Sequence, residues 1–161
     1  MGSHVSGADD DVQGVLDGIR RIVQALRESS GDVERRTGIG AAQLFVLRRL
    51  AEHQSLTVNE LAAKTFTHQS SVSEVVARLV RRRLVARRVD ARDRRRRLLS
   101  VTRLGHQLLA TAPGTAQERL VAAVLGMSPA RRRTVAAALK QVADAMRSAR
   151  RGEMFFVGER T

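Results

Sequence analysis

The feature that most constrains this chain is a pair of short helical patterns joined by Thr65-Phe66-Thr67 and followed at once by two strand-like stretches. Thr57-Val58-Asn59-Glu60 fits a capping box, in which the Thr hydroxyl bonds a first-turn amide and Glu60 reaches back to the cap. It opens a helix over 58–64 that buries Leu61 and Ala62. A further helix over about 68–82 turns Val72, Val75, Val76, Leu79 and Val80 inward. Two short helices so closely joined form the helix-turn-helix pattern. Residues 84–89 and 97–101 read as short strands, and the turn between them, Asp90-Ala91-Arg92-Asp93-Arg94-Arg95-Arg96, is loaded with arginine. A hairpin directly after a helix-turn-helix makes a wing. The expected class is mainly α with a small β-hairpin, a winged helix-turn-helix flanked by N- and C-terminal dimerisation helices.

The flanks supply the other helices. Residues 11–27 set Val12, Leu16, Ile19, Val23 and Leu26 on one stripe, widened by Val15 and Ile22, with Asp9, Asp10 and Asp11 suited to the helix N-terminus. Residues 29–39, with Ser29, Ser30, Gly31, Thr37 and Gly38, read as a loop. A helix at about 40–53 carries Leu44, Leu47 and Leu50 on one face. Thr102 caps a helix running to about 126, which Pro113-Gly114 should kink or interrupt. Ser128-Pro129 starts the last helix, about 129–150, with Val135, Leu139, Val142 and Met146 in line.

These terminal stripes exceed what a domain of this size covers alone. A two-fold dimer built through Val12, Leu16, Ile19, Val23, Val135, Leu139, Val142 and Met146 is expected, with internal packing of the same stripes as the competing reading. The organisation that follows has residues 1–8 as a tag remnant (Met1-Gly2-Ser3-His4) and disordered start, and 9–39 as the N-terminal dimerisation helix and loop. Residues 40–105 form the DNA-binding domain, 106–151 the C-terminal dimerisation helices and 152–161 a ragged tail.

Charge sharpens the reading. The chain carries 29 Lys and Arg against 16 Asp and Glu, net +13, and the excess is local. Residues 1–57 hold 7 basic and 8 acidic groups, 58–105 hold 13 and 4, and 106–161 hold 9 and 4. Such concentration is the footprint of a polyanion-binding surface. A solvated face in an arginine-rich proteome is the bland alternative. Only Lys64 and Lys140 are lysines, a bias that fits a GC-rich bacterial genome. With no Cys, disulfides, thiolate zinc sites and iron–sulfur clusters are excluded. His4, His53, His68 and His106 lack metal spacing, so neither metal nor cofactor is expected. No nucleophile elbow, Walker loop or dinucleotide fingerprint occurs, so the chain is not read as an enzyme. The lack of Tyr and Trp, with 4 Phe, speaks against base-stacking RNA modules. No apolar run spans a bilayer and no secretory signal is visible. The expected location is cytoplasmic and nucleoid-associated.

The stretch Leu61 to Gly105 resembles the multiple-antibiotic-resistance regulator (MarR) family of winged-helix transcription factors. Ser70-Ser71-Val72-Ser73 opens the recognition helix, Leu84-Val85-Ala86-Arg87 enters the wing, and Asp93-x-Arg95 precedes Val101-Thr102-x-x-Gly105, the wing signature with Val for its usual Leu. The position between recognition helix and wing is often Gly in this family and is Arg83 here. Glycine suits a left-handed C-cap. Arg83 therefore implies either a different local geometry or strain kept in exchange for a phosphate contact. The resemblance implies a transcriptional regulator that senses a small aromatic or phenolic ligand between its dimer helices and its DNA-binding lobe. Phe45, Arg48, His53 and Phe66 are the candidate ligand contacts, against a blander reading of both Phe as core and of Arg48 and His53 as surface. The family's thiol-oxidation mode of sensing is excluded for want of Cys.

The N-terminal residues of a recognition helix reach base edges in the major groove. Gln69, Ser70, Ser71 and Ser73 are thus expected to contact bases or phosphates, with plain helix capping as the alternative for the serines. Arg78 and Arg81 lie on the outer face. Arg92, Arg94, Arg95 and Arg96 on the wing tip suit a narrow minor groove. Asp93 would repel phosphate and is expected to hold the Arg95 side chain in a bidentate pair, as the resemblance also implies. The partner is double-stranded DNA with a pseudo-palindromic operator, read by a homodimeric repressor that a small molecule releases. The alternative is a non-specific architectural DNA- or RNA-binding protein acting through its arginine-rich wing.

Overall fold

The computed structural model describes the backbone of residues 3–155 and the side chains of residues 7–147. The elements are α1 (Ser3–Thr37), α2 (Ala41–Ala51), α3 (Val58–Thr65), α4 (Gln69–Arg81), β1 (Val85–Val89), β2 (Arg97–Val101), α5 (Arg103–Thr111), α6 (Ala116–Leu125) and α7 (Pro129–Phe155). The chain divides into two compact units, residues 1–119 and 120–161.

Most of the expected order is present, with three corrections at the flanks. Helix α1 begins at Ser3, so residues 3–8 are helical and Asp9, Asp10 and Asp11 lie beyond its first turn. It also runs through residues 29–37, where low helix propensity suggested a loop. Tertiary contacts override propensity there. Val33 is buried, and Ser29 Oγ accepts the N–H of Ala116 at 2.9 Å. Gly38, with φ +69°, then ends the helix. Helix α7 continues to Phe155, so residues 152–155 are helical rather than ragged. Residues 156–161 of the expected tail, like Met1 and Gly2, lie outside the described residues.

The core of the first unit is the helix-turn-helix itself. Leu44, Leu47 and Leu50 of α2 pack with Leu61 of α3, Val76 and Leu79 of α4, and Leu99 of β2, all fully buried. At about 1.5–3 kcal/mol per buried aliphatic side chain, this cluster dominates the unit's stability. Strands β1 and β2 are antiparallel, from Val85 opposite Val101 to Val89 opposite Arg97. A bridge absent from the sequence reading adds Leu56, whose N–H and carbonyl pair with those of Leu99 at 3.1 and 2.8 Å. Interruption between α5 and α6 falls at Pro113-Gly114 as expected. In the second unit, Arg132 donates to the carbonyls of Val124, Leu125 and Met127 at 2.8–3.2 Å, closing the C-terminal end of α6.

Candidate nucleic-acid interface

Helix α4 starts at an N-cap, His68, whose side chain makes no capping bond. The serines of the first turns do not cap either. Gln69, Ser70 and Ser71 are exposed, Ser73 is half-buried, and none of their side chains is hydrogen-bonded among the described residues. Their polar groups, with the first-turn amides, stand open to an external acceptor. Further along, Arg78 and Arg81 are exposed and have no carboxylate partner among the described residues. Arg82 is committed elsewhere, donating to the Gly38 carbonyl.

The end of α4 answers the question raised by Arg83. Its φ is +59°, its N–H bonds the Val80 carbonyl at 2.9 Å, and the Leu84 N–H bonds the Leu79 carbonyl at 3.0 Å. That is a Schellman cap with arginine in the left-handed position where glycine costs least. The geometry is the glycine geometry, and the strain is carried.

The wing tip departs from expectation at two residues. Asp93 does not pair with the Arg95 guanidinium; its Oδ1 accepts the backbone N–H of Arg95 at 2.9 Å. Asp90 Oδ1 likewise accepts the Arg92 N–H at 2.9 Å. A short Asp side chain reaches its own backbone two residues on, which shapes the turn but leaves the arginine heads alone. Arg96 is the second departure. Its Nη2 lies 2.9 Å from Glu60 Oε1 of α3, so it is paired within the protein instead of pointing free. Arg92, Arg94 and Arg95 are exposed without a carboxylate partner among the described residues. Acids fold the tip; three arginines stay uncommitted.

Glu60 is held by more than Arg96. Its Oε2 accepts the Thr57 N–H at 2.7 Å and the Thr57 hydroxyl at 2.9 Å, completing the capping box. These bonds from Thr57, the backbone one foremost, and then the Arg96 guanidinium, hold the Glu60 carboxyl below its ordinary 4.5.

The ligand candidates scatter. Phe45 is buried, with the Arg49 guanidinium 5.4 Å from its ring centroid. It lines a cavity of about 110 Å³ together with Val46, Thr67, Ser71, Val72 and Val75. Arg48 is half-buried, not a surface group: it bonds both oxygens of Glu118 at 2.8–2.9 Å and the carbonyls of Ala112 and Pro113 at 3.1 Å. His53 is half-buried. Phe66 is 68% exposed and not core, because it is the left-handed C-cap of α3 with φ +53° and its ring is carried outward. Of the four, Phe45 lines the cavity. Among the described residues no acid–histidine cluster could hold a metal, and no helix is long and apolar enough to cross a membrane.

The MarR family model matches residues 30–96, which run from the end of α1 to the tip of the wing. Over this stretch the chain is similar to the MarR family. It is 31% identical over 98 residues to the HTH-type transcriptional repressor MdtR of Bacillus subtilis, covering 61% of this chain and 63% of that protein. The match thus spans a little under two thirds of that relative's length. Among solved structures, BpsR of Bordetella bronchiseptica, described with the regulation of its DNA binding by 6-hydroxynicotinic acid, is 25% identical with TM-score 0.55, covering 81% of this chain and 98% of that one. The complex of Staphylococcus aureus MepR with DNA shares the fold at 23% identity and TM-score 0.57, covering 84% and 97%.

In this wing Gly105 has a plain steric reason. A Cβ on Gly105 would lie 2.4 Å from the Leu84 carbonyl oxygen and 2.6 Å from Val101 Cγ1, so α5 can start beneath the wing only without a side chain there. Sequence reasoning missed the Glu60–Arg96 and Arg48–Glu118 pairs. Glu60 was visible as a capping residue, but nothing in the spacing shows that its other oxygen faces the wing.

Proposed function

We propose that this protein is a sequence-specific double-stranded-DNA-binding transcriptional regulator, a homodimeric repressor whose DNA binding a small aromatic or phenolic effector relieves. The observation that carries the reading is the contrast at the wing tip. Asp90 and Asp93 spend their carboxylates on backbone amides, while Arg92, Arg94 and Arg95 stand exposed without a partner acid among the described residues. Unpaired guanidiniums on a narrow turn fit phosphate or a narrow minor groove, and the open first turn of α4 fits the major groove. The protein acts by binding rather than catalysis, in the bacterial cytoplasm at the nucleoid.

Dimerisation is supported by apolar side chains left uncovered. On α1, Val12, Val15, Leu16, Ile22 and Val23 are 39–58% exposed; on α7, Leu139, Val142 and Met146 are 44–67% exposed. Exposure of these side chains favours a partner chain over the competing reading, internal packing of the same stripes. A two-fold partner would cover them and set two α4 helices on half-sites of a pseudo-palindromic operator. Effector control is supported by the cavity behind α4, where Phe45 and Ser71 share a lining, and by the heteroaromatic acid that regulates BpsR. At about 110 Å³ the cavity is below the usual range for drug-sized ligands, about 300–1,000 Å³. An aromatic effector must therefore widen it, shifting the first turn of α4 and the population competent for DNA.

The test is selection of bound fragments from the source genome, then affinity against salt for the winner and for scrambled duplex. A palindromic winner bound at least about a thousandfold tighter establishes a specific regulator. Near-equal affinities with a steep salt slope would mean an architectural protein instead.

A further inference from the structure

We infer that Glu60 is the residue that positions the wing for DNA, and that Arg96 is its anchor rather than a DNA contact. The inference rests on the proposed DNA-binding function and deepens it.

Three observations converge on this pair. The Glu60 carboxylate is divided between two tasks, Oε2 closing the capping box on Thr57 and Oε1 reaching Arg96 at 2.9 Å. Arg96 sits at the base of the tip, where its N–H bonds the Asp93 carbonyl at 2.9 Å and its carbonyl accepts the Asp90 N–H at 3.1 Å. Holding its side chain therefore holds the turn that carries Arg92, Arg94 and Arg95. Finally, the hairpin is a crowd of like charges. Arg87, Arg88, Arg92, Arg94, Arg95 and Arg97 are all exposed, and both of its own acids are turned to backbone amides. Among the described residues, Glu60 is the acid from another element that pairs with the hairpin.

The same geometry argues against a phosphate on Arg96. Glu60 Oε1 already takes Arg96 Nη2 at 2.9 Å, so a phosphate would find that donor occupied and would be brought toward a like-charged carboxylate. Both partners are about half-exposed, 46% each, so the pair contributes little to folding. Its effect falls on where the wing points. Glu60 joins the start of α3 to the wing, so helix-turn-helix and hairpin meet the duplex as one piece.

The experiment uses the full chain and a duplex selected from a random-sequence pool, with Glu60→Gln, Arg96→Ala and the double variant. Glutamine keeps the capping box, and an unchanged melting temperature checks it. Affinity for the selected and for a scrambled duplex is measured against salt. If the pair positions the wing, each single variant lowers the selected-to-scrambled ratio by about two- to fivefold, the range a half-exposed ion pair allows. The double variant then loses no more than Arg96→Ala alone, and the salt slope of Arg96→Ala matches the wild type. If Arg96 instead binds phosphate, Glu60→Gln frees it and tightens binding, and Arg96→Ala lowers the slope by about 0.9. That result overturns the inference, as do three variants indistinguishable from wild type. A wild-type chain with no preference for any selected duplex would overturn the proposed function itself.

Discussion

The Thr102 hydroxyl lies 2.7 Å from the carbonyl oxygen of Arg83 and donates to it, while its oxygen accepts the Gly105 N–H at 3.1 Å. One side chain at the foot of the wing thus caps α5 and holds the left-handed residue that ends α4. The recognition helix, the wing and the helix after it meet at this hydroxyl, and the strain at Arg83 is held in place by its neighbours.

Replacing Arg83 with glycine should stabilise the fold. A non-glycine residue in the left-handed region costs roughly 1–2 kcal/mol. Glycine returns about 0.5–1 kcal/mol of that through the entropy of the unfolded chain. The net expectation for Arg83→Gly is a gain of about 0.5–1 kcal/mol in urea denaturation, with Arg83→Ala gaining nothing because it keeps the strain. An Arg83→Gly variant less stable than Arg83→Ala would show that the cap is unstrained. If the Arg83 head contacts phosphate, both variants also lose about 0.9 from the salt slope of DNA binding.

Gly105→Ala should do the opposite. The new methyl meets a backbone carbonyl at 2.4 Å, which cannot swing aside as a side-chain end would. A loss of about 3 kcal/mol, the upper end of ordinary overpacking, is expected in the same denaturation measurement. A loss below about 1 kcal/mol would mean that the wing and α5 separate easily, against the tight seat described for them.

Local chemistry made much of this fold legible. The capping box at Thr57, the valine and leucine spacing of α4 and the Ser128-Pro129 start each act within a few residues, and each element lies close to where they put it. What escaped was decided over long separations. Ser29, Ser30 and Gly31 favour a loop by propensity, yet a bond from Ala116 and the burial of Val33 keep them helical. Arg48 and Glu118 meet across 70 positions, and no periodicity announces that. At the wing the residue types were informative but the partners were not: Asp93 serves Arg95 through the backbone, and Arg96 serves Glu60. A lone sequence shows which residues could pair, and the fold chooses among them.

Acid should loosen the Glu60 contacts in a defined direction. Its folded carboxyl is held below the ordinary 4.5, so the stability it adds is complete above that value and is lost as pH falls through the folded value. Wild-type protein should therefore lose more stability than Glu60→Gln between about pH 6 and about pH 3, by a small margin because the group is exposed. Parallel curves for the two proteins would remove Glu60 from the acid response.

Charge on the α1 stripe should separate the proposed dimer without unfolding the chain. Leu16 is 42% exposed in the single chain, so glutamate is tolerated there in a monomer. In an apolar interface an unpaired carboxylate costs about 3–5 kcal/mol, which is more than a hundredfold in dissociation constant. Sedimentation of Leu16→Glu should show monomer at concentrations where the wild type is dimeric, with unchanged helical circular dichroism. Two identical sedimentation profiles would put the interface elsewhere.

Wing and recognition helix should fail in different ways when altered. Arg94 and Arg95 are uncommitted guanidiniums, so Arg94→Ala and Arg95→Ala should each weaken the matched site and flatten the salt slope by up to about 0.9 per lost phosphate contact. Ser70 and Ser71 carry no charge. Ser70→Ala and Ser71→Ala should leave the slope alone and change which duplexes a random pool returns, since hydroxyls at a helix start read base edges. The two signatures separate charge from readout in one set of titrations. Unchanged affinity in both arginine variants would remove the wing from the interface, and an unaltered selected sequence in both serine variants would remove the first turn of α4 from base recognition.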